Sequence, residues 1–242
     1  MSAATGLLPP RLVQAVLAFW FEGILSNPTA AVPPSLARRW FVADPAVDRQ
    51  VADLVPPAKI SELASKASTA LALSSSSSSS SYNLADTDTD TLLAAVIVLD
   101  QFSRNVFRGT PRAFASDPIA RRLADRLPDC SGSSSRSNSK SKLELNRRGF
   151  KILPFMHSEE IGDQKRCLAM CEAWTRDCAA VPQVKAFAEM TLRSAQDHYD
   201  LISKYGRFPH RNEILGREST PEEIAFMANG GNTLGQIKKP SA

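Results

Sequence analysis

The chain has 242 residues, 43% hydrophobic and 22% charged, with 29 Lys and Arg against 25 Asp and Glu. Such a length and balance suit a single domain, residues 1–242, carrying insertions, and they exclude a largely disordered chain. Part of the net charge of +4 sits in "RSNSKSKLELNRRGFK", residues 136–151, a local basic patch in a chain that is not basic throughout.

The first apolar run, "LVQAVLAFWFEGIL", follows Pro9 and Pro10 and predicts an amphipathic helix to about Glu22. Gln14, Glu22 and the bulky trio Phe19, Trp20 and Phe21 do not suit a secretory signal. Nowhere do the ~18–20 uninterrupted apolar residues of a membrane span occur, so the expectation is a soluble, cytoplasmic protein without a membrane partner.

A short helix is expected over Pro34 to Phe41, then another in "DPAVDRQVADLV", with Asp44 as N-cap and Pro45 at the first position. Two serine-rich insertions, 74–91 and 129–142, and the tail 230–242 bury too little apolar surface to offset ordering and are read as flexible. "DTLLAAVIVLDQFSRN" is apolar around nearly its whole circumference from Leu92 to Leu99, which predicts a buried helix through Asn105.

"SDPIARRLADRL" opens with Ser116 or Asp117 as cap and Pro118 in the first turn. A helix after the basic loop is expected to stop at Leu153, because Pro154 disfavours helical geometry before it. "SEEIGDQKRCLAMCEAWTRDC" and "PQVKAFAEMTLRSAQDHYDLISKY" predict two long helices, the second closed by Gly206. "STPEEIAFM" carries a capping box through Thr220 and Glu223. The fold class is all-α, built of packed antiparallel helix pairs.

Cys167, Cys171 and Cys178 share one helix face with Trp174, which suits buried thiols in a reducing compartment rather than zinc or a disulfide. No ligand spacing demands a metal, and no pattern assigns a cofactor. Nucleophile-elbow, phosphate-loop, dinucleotide and zinc-helix motifs are absent from the sequence.

Polar residues break the helical pattern in three places. Asp100 and Arg104 stand four apart on an otherwise apolar face, with Asn105 at the helix end and Arg108 just beyond it. His157 and Ser158 lie between Pro154 and the next helix, whose start would aim backbone N–H groups outward beside the imidazole. His198 continues the apolar stripe of Val184, Phe187, Thr191, Ala195, Ile202 and Tyr205.

The strings "LDQFSRNVFRGTPRAF", "LPFMHSEE" followed by Gln164, and "YGRFPHRNEILGRESTPEE" resemble a family of uncharacterised proteins known as a domain of unknown function. The resemblance implies an α-helical, tetratricopeptide-like fold. It places that family's signature on Asp100, Gln101, Arg104, Asn105, Arg108 and Gly109, then on His157, Ser158, Glu159 and Gln164. It continues on His198, Gly206, Arg207, Phe208, Pro209, His210, Arg211 and Asn212. No catalytic function comes with it.

Three readings of these residues stay open. In the first, a polar pocket binds a small anionic molecule, carboxylate or phosphate, and acts as an acid/base enzyme. His157 or His210 would move the proton, with Asp100 and Glu159 orienting or serving as base. Arg104, Asn105, Arg108, Gln164, His198, Arg207, Arg211 and Asn212 would bind substrate. In the second, a tetratricopeptide-like module binds a peptide partner or carboxylate terminus, although no 34-residue period is traceable. In the third, the motifs only knit helix ends together. Nucleic acid ranks below all three, because aromatics do not interleave with a continuous basic face.

Overall fold

The computed structural model describes residues 6–74, 84–128, 143–231 and 233–234. Residues 75–83 of the first serine-rich segment, the whole of 129–142 and residues 235–242 of the tail lie outside the described residues. Of the stretch 74–91, Leu84–Asp86 forms a 3-10 turn, and Asp88 then caps a helix by accepting the Thr91 N–H at 2.9 Å.

Helices opened by proline set the frame. Helix α1 (Pro10–Trp20), α2 (Pro34–Phe41), α3 (Pro45–Leu54) and α4 (Pro57–Leu73) each begin with proline in the first turn, where its missing N–H costs nothing. Asp44 caps α3 through the Ala46 N–H. Sequence reading had not singled out α4, whose stripe Ile60, Leu63, Ala67, Ala70 and Leu71 is buried.

At the centre lies α5 (Thr89–Ile97), where Leu92 to Ile97 are all buried, as expected of a helix apolar on every side. It packs against α1, α7 (Asp117–Ala124) and α8 (Arg148–Met156). The long α9 (Ile161–Asp177) and α10 (Pro182–Tyr205) are joined by a short turn and pack antiparallel, with α10 also touching α8. Gly206 ends α10 at φ 68, a left-handed value that glycine adopts without a Cβ clash. Two short helices follow, α11 (Asn212–Leu215) and, opened by the Thr220–Glu223 capping box, α12 (Pro221–Ala228). Among the described residues there is no strand, and no helix is long and apolar enough to cross a membrane.

Two expectations change. The helix ending in "LPFM" does not stop at Leu153, since Pro154 lies inside α8. Proline there leaves the Phe150 carbonyl without its intrahelical donor, but every residue of α8 is buried, so packing outweighs the local cost. The helix from Thr89 does not run uniformly to Asn105 either. It widens into a π-helical turn at Val98–Phe102 before α6 (Ser103–Val106).

An aromatic cluster welds the N-terminal helices to α8. Trp20 and Trp40 lie 6.3 Å apart, Trp40 meets Phe150 edge-on at 4.9 Å, and the Trp40 indole donates to the Trp20 carbonyl at 2.8 Å. Such pairs contribute about 0.5–1.5 kcal/mol each beyond their buried area. They fix one wall of the cavity described next.

Candidate functional site

The π-helical turn carries Asp100 into the interior. A π turn holds one more residue than an α turn and shifts the register of everything after it. Asp100 is 1% exposed, and both its oxygens face Nδ1 of His157, at 2.8 and 3.1 Å. A carboxylate only accepts, so Nδ1 carries the proton and Nε2 the lone pair. His157 sits at the C-terminal end of α8, its N–H on the Leu153 carbonyl at 2.9 Å. It is the C-cap of α8, four residues before α9 begins at Ile161.

Gln101 donates to the second Asp100 oxygen, and Arg104 reaches the first at 3.2 Å. Arg104 also grips Asp117, the first residue of α7, with two bonds of 3.0 and 2.9 Å. Burial alone would raise the Asp100 carboxyl, but His157, Arg104 and the hydrogen bond from Gln101 hold it below the usual carboxylate range. Burial, then the Arg104 charge, lowers the His157 imidazole despite the pull of Asp100. The pair is thus an ionised acid beside a neutral imidazole.

The other two histidines come from α10 and the turn after it. His198 donates Nδ1–H to the Ser194 carbonyl at 2.7 Å, again leaving Nε2 basic, and its ring lies 6.1 Å from that of His157. Phe208 stands between His198 and His210, 5.5 Å from each. Burial, followed for His198 by His157 and for His210 by Arg211, brings both imidazoles down to about 3. Nδ1 of His210 is buried without a hydrogen-bond partner.

Arg211 is a buried cation short of acceptors. It is 6% exposed, its guanidinium is stacked 4.6 Å from the Phe114 ring and 4.5 Å from Phe208, and its Nε–H has no acceptor. Among the described residues the carboxylate it approaches within 4 Å is Asp117, at 3.7 Å, already taken by Arg104. Burial and the Arg104 charge bring its pKa down to about 10, so it stays charged at neutral pH.

These groups line one cavity of about 350 Å³. His157, His198, His210, Arg104, Arg211 and Gln101 form its polar part. Asn105 and Arg108 lie on the same wall, both bound to Asp48 of α3. Trp40, Phe41, Leu153, Met156 and Met190 supply the apolar part. Among the described residues no three His, Cys, Asp or Glu side chains form a group that could hold a metal ion.

A family model described as "bacterial protein of unknown function (DUF924)" matches residues 16–231. The chain belongs to this family. A solved structure of a protein of unknown function from Agrobacterium tumefaciens is similar, with a TM-score of 0.62 and 29% sequence identity over 91% of this chain and 98% of that one. No curated protein matches the chain.

Several residues expected at the site of this DUF924 chain lie off the cavity wall. Glu159 accepts from the Phe208 N–H at 2.8 Å and from Arg217 at 2.7 and 3.0 Å, bracing the turn. Gln164 donates to the carbonyls of Met156 and Ser158. Arg207 and Asn212 both end on Glu223. Ser158 joins Arg121 to Asp163 at 2.6 and 2.7 Å.

Sequence reading missed Asp117 and Asp48. The helix-start pattern gave Asp117 a sufficient local role, and its "DP" spacing offers no sign of the distant Arg104. Asp48 stands four residues past the Asp44 cap on the face of α3 that meets α6, which was the available signal.

Proposed function

We infer that the cavity binds a small anionic molecule and that His157, oriented by Asp100, exchanges a proton with it. The supporting observation is that one cavity is lined both by His157, held by the buried Asp100 at 2.8 Å, and by a buried Arg211 whose Nε–H lacks an acceptor. An ionised carboxylate that fixes the Nδ1–H tautomer leaves Nε2 as a general base and stabilises the imidazolium once formed. A buried guanidinium short of acceptors is a ready partner for a ligand's negative charge.

Within this reading Asp100 positions His157, His210 is a second proton carrier through its unpartnered Nδ1, and Arg211 binds charge. Asn105, Arg108 and His198 contribute to the wall. Glu159, Gln164, Arg207 and Asn212 hold the surrounding backbone, which is how they affect the site.

The test is a thermal-shift and calorimetric screen of small carboxylates and phosphates against the full chain. At least one anion should bind wild type and bind Arg211→Gln at least about tenfold more weakly. Conversion of that ligand should vanish in His157→Gln while binding persists. Equal binding of every compound by wild type and Arg211→Gln would sink the reading.

A second reading, capture of a peptide's carboxylate terminus by a tetratricopeptide-like array, is favoured by two observations. Phe41, Val42 and Met190 are about 40% exposed or more at the cavity's edge, and α9 with α10 forms an antiparallel pair. Tight binding of a peptide whose free C-terminus matters, with no small anion bound, would replace the first reading with this one. The free, buried Cys167, Cys171 and Cys178 support a reducing, cytoplasmic setting.

A further inference from the structure

Resting on the anion-binding reading above, the geometry points to a more specific ligand class: a monoanionic carboxylate carried on an elongated apolar, preferably aromatic, body. The cavity is polarised along α10. Met190, Thr191, Ser194 and His198 line it from one helix, so Met190 and His198 are about 12 Å apart along the axis. Phe41 packs 6.2 Å from Phe187, one turn before Met190, which puts the aromatic wall at the Met190 end. His198 packs on Phe208, which in turn stacks under Arg211, so the charged end is the other one.

The head-group chemistry favours a carboxylate. Arg104 is engaged by Asp117 through two bonds and by Asp100, whereas Arg211 keeps a free Nε–H and only a 3.7 Å approach to Asp117. A planar carboxylate matches the side of a guanidinium, and the rings of Phe114 and Phe208 hold that plane.

The charge favours one negative unit. Four guanidiniums line the cavity: Arg39 is paired with Glu22, Arg108 with Asp48 and Arg104 with Asp117 and Asp100, which leaves Arg211 with only a 3.7 Å approach to Asp117, and the imidazoles of His157, His198 and His210 are neutral among them. A monoanion brings one charge, which Arg211 meets directly, whereas a dianion would bury a second charge without a partner.

The tail of the ligand would lie along Leu153, Met156 and Met190 toward Trp40 and Phe41, where burial of apolar area contributes about 25 cal/mol per Å². Phe41 and Met190 are each 40% exposed, so an occupant of this end would cover apolar surface now in water.

The experiment is isothermal titration of the full chain with 4-phenylbutyrate, 4-phenylbutanamide, 4-phenylbutyl phosphate and acetate. The acid should bind at least about tenfold tighter than each of the other three. Arg211→Gln should remove that preference over the amide. Phe41→Ser, a change at an exposed position, should weaken the acid by about threefold or more and leave acetate unchanged.

The outcomes separate the two levels of argument. If the phosphate binds tighter than the acid, the carboxylate class is wrong and the anion-binding reading stands. Acetate binding as tightly as 4-phenylbutyrate, or Phe41→Ser having no effect, overturns the apolar-body assignment alone. Equal binding of amide and acid, or no binding of any anion, overturns this inference together with the reading beneath it.

Discussion

Residues 204–217 build two charged neighbourhoods from interleaved positions of one short stretch. Arg207, Asn212 and Arg217 are fully engaged: Arg207 holds Glu223 at 2.7 Å through two donors, Asn212 reaches the same carboxylate at 3.1 Å, and Arg217 forks onto Glu159. His210 and Arg211, the two residues just before Asn212, line the cavity with Nδ1 and Nε unpartnered. The first set neutralises itself and fixes the backbone. The second leaves buried hydrogen-bonding capacity unused, which costs about 1–3 kcal/mol per group unless something external fills it. The difference teaches that charge content alone does not mark a site; unmet partnership does.

That contrast can be broken most forcefully by Glu223→Ala. Arg207, Asn212 and the Thr220 N–H would all lose their acceptor, and urea unfolding should show a loss of about 3 kcal/mol. Unchanged stability would mean that this network is not a strut.

Acid should expose the other neighbourhood. His198 and His210 have folded values near 3, far below an ordinary histidine at about 6.5, so above pH 6.5 neither state takes a proton and stability is unaffected. Between pH 6.5 and 3 the unfolded chain binds protons that the folded chain refuses, and stability falls as pH falls. Each histidine should cost up to about 1.4 kcal/mol per pH unit in that window. Melting temperatures at pH 7.5 and 5.5 check it, and His198→Gln should reduce the slope. A flat profile would argue against neutral, buried imidazoles.

Smaller effects sharpen the boundary between the two sets. Asn105→Ala removes one bond to Asp48, which Arg108 still holds, so the expected loss is about 1 kcal/mol by chemical denaturation. His210→Phe replaces a half-buried ring, whose Nδ1 lacks a partner, with an apolar one of similar shape beside Phe208. It should leave stability unchanged or raise it by up to about 1 kcal/mol, the opposite sign to Asn105→Ala. A marked loss would show that Nδ1 of His210 already has a partner.

The helical frame was largely legible because its signals are local. Asp44 with Pro45, Thr220 with Glu223, and Gly206 act within a few residues, and each does so in the structure. Pro154 was misjudged because its local preference is overridden by the burial of α8. The π-helical turn left no compositional trace, since the same residues serve an ordinary α-helix.

At the site, Arg104 and His198 stood out as polar groups in apolar stripes and His157 as a polar group between two helices, and all three reach the cavity. Glu159, Gln164, Arg207 and Asn212 belong to the same motifs yet bind nearby backbone and side-chain groups. Which of two arginines finds its carboxylate depends on contacts tens of residues away, such as Arg217 with Glu159, and no local pattern records them. Asp117 escaped for the converse reason: a sufficient local role concealed a distant one.

The extra residue in the Val98–Phe102 turn makes the distinction between folding and function physically separable. Deleting one residue there would restore ordinary α-helical register and swing the preceding and following faces by about 100° relative to each other. Leu92 to Ile97 could keep their apolar packing on every side, because that helix is indifferent to rotation, whereas Asp100 could not keep both His157 and Arg104. The chain thus holds its buried acid by means of a single-residue phase shift, a setting that an insertion or deletion can reset while leaving the hydrophobic composition untouched.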